Sequence, residues 1–201
     1  MPDLILLRHG QSQWNLENKF TGWVDVPLSE KGKAEARAAG EKLRGRRIDV
    51  VYTSVLQRAI DTATIALETA GITGVPITRD AALNERMYGD LQGLDKDEAR
   101  KRWGEEQVKL WRRSYDVRPP GGESLADTAA RVIPYWESAI LPDIEAGKNV
   151  LIAAHGNSLR ALAMHLDGLT KEQVLALEIP TGRPILYDMA ADGTMRSKGD
   201  L

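Results

Sequence analysis

The sequence predicts an α/β fold: a three-layer α/β/α sandwich with a largely parallel central sheet and a small, mostly helical cap. Three observations carry this expectation. Short apolar runs that end in small or polar residues alternate with stretches of helical periodicity, as in strands joined by crossover helices. Two of those runs end in the same His-Gly text. Between about residues 84 and 122 the alternation stops, and charge, Trp and Gly replace the apolar runs.

Residues 3–8 (DLILLR) read as a buried first strand. Ser29 has the side chain to cap a helix running to about Leu43, with Ala34, Ala36, Ala38 and Ala39 as its apolar positions. Residues 48–52 (IDVVY) form the second strand, Ser54 caps a helix to about Thr69, and residues 75–78 form a short third strand. Two short helices are expected in the cap, over 95–103 and 105–114. The run Arg118-Pro119-Pro120-Gly121-Gly122 then reads as loop. Ser124 to Asp127 resembles a capping box opening a helix to about Glu145. Residues 149–154 (NVLIAA) are a further buried strand, 158–165 a helix, and 184–189 (PILYDM) a last strand before the Asp192-Gly193 turn. Residues 1–201 are thus expected to form one domain, with 84–122 inserted as a cap.

Composition narrows the chemistry. The chain has 201 residues, 27 Lys+Arg against 29 Asp+Glu, three His and no Cys. Disulfides, Cys nucleophiles and thiolate zinc sites are excluded. No apolar run approaches the ~20 residues of a membrane span, and the Met1-Pro2-Asp3 start has no basic n-region. A net charge of −2 gives no general attraction to nucleic acid or to anionic lipid. A cytoplasmic protein with no membrane or nucleic-acid partner is expected.

The chemistry concentrates at strand exits. Leu4 to Arg8 runs into His9-Gly10-Gln11-Ser12, and Val150 to Ala154 into His155-Gly156-Asn157-Ser158. In open parallel sheets, ligands bind beyond the carboxyl ends of the strands. A Gly lets the backbone turn there, and the following helix presents free N–H groups to an anion. A third exit, Thr53-Ser54, is followed by Arg58. Convergence of His9, His155, Arg8 and Arg58 would suit a phosphoryl group: guanidinium offers paired donors to its oxygens, and an imidazole can attack phosphorus. His165, among Leu162, Ala163 and Leu166, reads as structural. Zinc held by His9, His155 and His165 is disfavoured because close-spaced ligand pairs are absent, so no metal is expected. A Ser12 or Ser158 nucleophile lacks the closing Gly of a nucleophile elbow. Neither a P-loop nor a dinucleotide fingerprint occurs.

Leu7-Arg8-His9-Gly10 is similar to the phosphohistidine signature of the histidine phosphatase superfamily. Residues 8–32 (RHGQSQWNLENKFTGWVDVPLSEKG), 52–59, 84–96, 108–120 and 153–162 together resemble the cofactor-dependent phosphoglycerate mutases. That resemblance implies interconversion of 3- and 2-phosphoglycerate, in glycolysis and gluconeogenesis, primed by 2,3-bisphosphoglycerate without a metal. By matching positions it implies His9 as the nucleophile and Arg8, Arg58 and His155 as groups that bind the phosphoryl group and stabilise its transfer. Glu85 is implied as the general acid/base; nearby phosphate charge would favour its neutral form. Arg112 and Arg113 would bind the substrate carboxylate, with Asn15, Thr21, Gly22, Tyr88, Lys96, Gly156 and Asn157 lining the rest. Trp14, Trp23, Trp103 and Trp111 are read as packing for the cap. The resemblance further implies a homodimer, with a tetramer as the alternative.

Gln11 stands where Glu is common in the family, the loop after Pro120 is short, and so is the tail 196–201, where Lys198 and Gly199 would form a small mobile lid. The competing readings are a phosphohistidine phosphomonoesterase or bisphosphoglycerate phosphatase and, more remotely, a non-catalytic module that binds phosphoanions.

Overall fold

The computed structural model describes residues 1–201. Six strands form one sheet in the order β3-β2-β4-β1-β5-β6. They are β1 (Asp3–Arg8), β2 (Val50–Thr53), β3 (Ile77–Arg79), β4 (Val150–Ala154), β5 (Ile185–Met189) and β6 (Met195–Asp200). The first four pair in parallel, whereas β5 runs antiparallel to β1, and β6 antiparallel to β5. The sheet is therefore largely parallel, as the alternation of apolar runs predicts.

Period-2 side-chain alternation sorts the strands into two cores. Leu4, Leu6, Tyr52, Val150 and Ile152 face α6 (Leu125–Tyr135) and α8 (Gly156–Asp167), packing on Leu125, Val132, Trp136, Leu159 and Leu162. Ile5, Leu7, Val51, Leu151 and Ala153 face α2 (Glu30–Leu43) and α3 (Gln57–Ala70), against Ala39, Leu43, Ala63, Ala66 and Leu67. Both sheet faces are covered, which explains why β1 and β4 read as unbroken apolar runs. Each fully buried Leu or Ile contributes about 1.5–3 kcal/mol. The buried face of α2 is Gly32, Ala36, Ala39, Gly40 and Leu43, at helical spacing; Ala34 and Ala38 of the predicted set are exposed.

The cap has its own small core. Lys96–Trp103 (α4) and Glu105–Arg113 (α5) close over Phe20, Leu91, Ala99, Val108 and Trp111. Trp103 packs edge-on against Trp111, with ring centroids 5.5 Å apart.

Several boundaries differ from the sequence reading. The expected helix from Ser124 to Glu145 is broken into α6, a wide π turn over Trp136–Ile140, and α7 (Leu141–Glu145). Pro134 and Pro142 each remove an amide donor, and the wider turn between them buries Trp136 and Ile140. Ser54 is not the cap residue of α3: Leu56 occupies that position without a side-chain bond, and the Ser54 hydroxyl accepts the Leu56 N–H and meets His155. The helix after β4 begins at Gly156, with Ser158 as its third residue, whose hydroxyl accepts from the His155 N–H. Two short helices, α1 (Gln13–Leu16) and α9 (Lys171–Ala176), were not expected. Neither was β6. The tail is an edge strand rather than a lid, with Lys198 in register with Tyr187 and its ammonium on Asp167. His165 is exposed on the last turn of α8 and not packed among its apolar neighbours. No helix is long and apolar enough to cross a membrane.

Candidate active site

The parallel register Leu4↔Val150 and Val50↔Val150 brings the exits of β1, β4 and β2 to one edge of the sheet. A cavity of about 260 Å³ opens there. It is lined by Arg8, His9, Asn15, Thr21, Gly22, Arg58, Glu85, Tyr88, Lys96, Arg112, Arg113, Gly156 and Asn157. The fourteenth expected residue, His155, lies behind this wall, fully buried, its ring centroid 5.0 Å from that of His9. All the residues singled out from sequence therefore gather around one point. No group of three or more His, Cys, Asp or Glu side chains is placed to share a metal ion.

The floor of the cavity is built for an anion. The Nδ1–H of His9 donates to the Gly10 carbonyl at 2.6 Å, which leaves Nε2 as the nitrogen with a free lone pair. Burial, reinforced by the guanidiniums of Arg58 and Arg8, holds the His9 imidazole well below its usual pKa, so the ring is neutral near pH 7. His155 is depressed in the same way by burial, then by Arg58, His9 and Arg8. Arg58 is locked by its own donors, Nη1–H to the Val24 carbonyl at 2.8 Å and Nη2–H to the Gly22 carbonyl at 2.6 Å. Burial lowers Arg58 to about 10, which still leaves it charged at neutral pH. Arg8 donates from Nη1 to the Ile179 carbonyl at 2.9 Å, and its buried Nε has no protein partner. The Thr21 hydroxyl is likewise buried and unpartnered. An anion with several acceptor oxygens would satisfy both.

Local backbone makes this floor. At Gly10 a Cβ would sit 2.2 Å from the Gly32 carbonyl oxygen, so the β1 exit lies directly on the first turn of α2. Gly22 has φ +61°, which lets its carbonyl turn toward Arg58.

Glu85 is fastened at both ends. Its Oε1 accepts the Asn157 N–H at 3.1 Å and the Arg86 N–H at 2.8 Å. Its backbone carbonyl accepts from Trp23 Nε1 at 2.6 Å and from Arg131 Nη2 at 2.8 Å. Trp23 thus does more than fill the cap, since it also fixes the segment that carries Glu85. Asn157 is positioned in turn by Arg160, whose Nη1 donates to the amide oxygen at 3.0 Å.

The cap side is strongly cationic. Lys96 falls to about 8, chiefly through burial and then through Arg112 and Arg8. Arg112 is lowered as well, mainly by burial. Arg113 lies 3.9 Å from Glu178 across the mouth.

The sequence reading missed Lys19, Phe20, Arg160 and the segment Leu177, Glu178, Ile179 and Pro180 in the lining, and Ser54, Arg86 and Arg131 behind it. Only Ser54 had a local signal, its place at a third strand exit.

The sequence model of the histidine phosphatase superfamily (branch 1) matches residues 4–195. A 2,3-bisphosphoglycerate-dependent phosphoglycerate mutase of Methylobacterium radiotolerans is 61% identical over 197 residues, covering 97% of this chain and 93% of that protein. The protein of the same name from Nitrobacter hamburgensis is 58% identical over 200 residues, covering 98% and 97%. Among solved structures, a mycobacterial glucosyl-3-phosphoglycerate phosphatase in complex with VO3 superposes with a TM-score of 0.84 at 29% identity, covering 100% of this chain and 97% of that one. The strand-exit histidines, the sheet that aligns them and these matches lead to one conclusion: this chain belongs to the histidine phosphatase superfamily, branch 1.

Proposed function

We propose that the protein is an isomerase that interconverts 3-phosphoglycerate and 2-phosphoglycerate through a phosphohistidine at His9. The observation that carries this reading is a cavity with cations on two sides of one carboxylate. Arg8 and Arg58 stand beside His9, Lys96, Arg112 and Arg113 come from the cap, and Glu85 lines the same space. A substrate with a phosphate and a carboxylate needs both sets. The mutase names of the relatives near 60% identity support the same reading.

The partnerless Arg8 Nε and Thr21 hydroxyl, in a cavity lined by six further cationic side chains, fit a ligand with two phosphates. When bound, 2,3-bisphosphoglycerate supplies the phosphoryl group that charges His9. His9 Nε2 attacks phosphorus, the phosphorus–oxygen bond to the donor breaks, and Arg8, Arg58 and His155 stabilise the oxygens in transfer. Glu85 gives its proton to the departing oxygen and, in the reverse transfer, takes one from the substrate hydroxyl that attacks phosphorus. Arg112 and Arg113 hold the carboxylate, so that either hydroxyl of the substrate can face His9. Asn15, Thr21, Gly22, Tyr88, Gly156 and Asn157 complete the binding surface. The reaction assigns no role to a metal.

We place this activity in glycolysis and gluconeogenesis in the cytoplasm, with residues 1–201 acting as one domain and 84–122 as its cap. A homodimer, with a tetramer as the alternative, is the proposed assembly. The exposed edge strand Ile77–Arg79 supports it, and the mass in solution by light scattering is its check.

The phosphatase names of several solved structural relatives favour a second reading, hydrolysis of the same phosphohistidine by water. Incubation of 3-phosphoglycerate with and without 2,3-bisphosphoglycerate separates them. Formation of 2-phosphoglycerate stimulated by the bisphosphate is expected; phosphate release without isomer would replace the mutase by the phosphatase.

A further inference from the structure

We propose that Ser54 is a positioning residue for phosphoryl transfer, acting through His155 by fixing the plane and the proton placement of its imidazole. The proposal rests on the phosphohistidine chemistry above and adds a residue from a third strand exit.

Parallel pairing of β2 with β4, in the register Thr53↔Ala153, sets Ser54 beside the end of β4. Both Ser54 and His155 are completely buried. The Ser54 Oγ lies 2.7 Å from His155 Nε2, the only hydrogen bond to that ring. The same Oγ accepts the Leu56 N–H at 3.2 Å. With that lone pair used, the hydroxyl proton has one acceptor in reach, Nε2 of the imidazole. The arrangement that gives the hydroxyl proton an acceptor has Ser54 donating to Nε2 and the proton of the neutral ring on Nδ1, which is buried and without a protein partner. That Nδ1–H has no protein acceptor, and the ring that carries it lies with its centroid 5.0 Å from that of His9.

A second observation comes from the start of α3. A serine just ahead of a helix normally spends its hydroxyl on the helix's free amides. Here α3 starts from Leu56 with no side-chain cap, although Ser54 stands two residues upstream. Beyond the Leu56 N–H, the hydroxyl serves no amide of the helix and is turned to a residue 101 positions away in sequence. The arrangement parallels the other imidazole, where Nδ1–H of His9 is held by the carbonyl of its neighbour Gly10. Each ring thus has one nitrogen engaged by the protein and the other left unengaged, His9 through a local bond and His155 through Ser54.

The test compares Ser54→Ala, Ser54→Thr, His155→Ala and the double variant Ser54→Ala/His155→Ala. It reads the rate of His9 phosphorylation by 2,3-bisphosphoglycerate, kcat and KM, and the ¹⁵N chemical shifts of the His155 ring. Ser54→Ala is expected to lower phosphorylation and kcat by about 10- to 100-fold, the usual effect of a misaligned transfer group, with KM within about threefold. Ser54→Thr, which keeps the hydroxyl, recovers most of the rate. In the His155→Ala background, Ser54→Ala produces no further loss, because its effect passes through the ring. The ¹⁵N shifts report Nδ1–H in the parent protein and loss of that preference in Ser54→Ala. Losses that multiply in the double variant, a Ser54→Ala rate equal to the parent's, or an Nε2–H ring in the parent would each overturn the proposal. The ring measurement needs no turnover, so absence of phosphoenzyme in the parent protein would count against the proposed function and leave the Ser54 assignment to be decided by its own signal.

Discussion

The exits of β1 and β4 share an apolar strand followed by His and Gly, yet the fold puts them to different uses. His9 lines the cavity, its orienting bond reaches only to Gly10, and Gly10 is pressed against the backbone of α2. His155 lies behind the wall, meets a hydroxyl from the exit of another strand, and is followed by a Gly at which an added Cβ would first meet the Arg8 side chain. One exit presents the proposed nucleophile from a rigid backbone turn. The other holds the proposed supporting ring against a distant partner. Equal local sequence does not make equal surroundings; the neighbours supplied by the sheet decide which imidazole lines the cavity and which lies behind it.

The sharpest break in this comparison comes from removing each ring. His9→Ala should lose turnover by at least ~10⁴-fold and take up no phosphoryl group, since the atom that carries phosphorus is gone. His155→Ala should lose about 10²- to 10³-fold, the scale of one donor to the transferring group, and still acquire the phosphoryl group slowly. Intact-protein mass spectrometry after incubation with 2,3-bisphosphoglycerate distinguishes the two; equal behaviour would erase the division of roles.

The two glycines give a smaller and oppositely weighted contrast. Gly10→Ala would place a methyl 2.2 Å from the Gly32 oxygen, where only backbone can yield. A loss of about 3 kcal/mol in denaturant unfolding is expected, at the upper end for overpacking. At Gly156 the methyl would lie 3.3 Å from the Arg8 guanidinium, a flexible group, on the first residue of α8. Stability should change by less than ~1 kcal/mol, because Ala favours the helix, while activity falls as Arg8 is displaced. The reverse ranking in the melts would show that the β4 exit is the rigid one.

The smallest effect is the pH dependence of stability. Both imidazoles have folded pKa values well below the ordinary 6.5. The unfolded chain therefore takes up protons that the folded chain refuses, so stability is complete above about pH 6.5 and declines as the pH falls below it. Urea midpoints between pH 7.5 and 5 should drop less steeply in His155→Ala than in the parent protein. Identical slopes would mean that burial does not hold that ring neutral.

Much of the frame was legible because its causes are local. The strands at 3–8 and 149–154 are contiguous apolar runs, the Gly after each His marks a turn, and Arg8 is adjacent to His9. The helix that breaks at Trp136–Ile140 was not legible as broken, since its apolar period continues through Pro134. The hold on Glu85 was also out of reach: Trp23 lies 62 residues from it and Arg131 lies 46. Arg160 belongs to the second His-Gly motif, but its role depends on reaching Asn157 and the carbonyl of Val174. The tail at 195–200 has little apolar content, and only pairing with β5 makes it a strand.

Local order along the chain settled where the apolar strands run, where they stop, and that an imidazole stands at two of those stops. Tertiary structure alone settled that the stops gather at one cavity, that the Ser54 hydroxyl meets His155, and that Glu85 is clamped from two sides. The division follows from range. Apolar runs and glycine turns act through the residues beside them, whereas a hydrogen bond between distant positions exists only after burial in the sheet has brought its donor and acceptor within 3 Å or so.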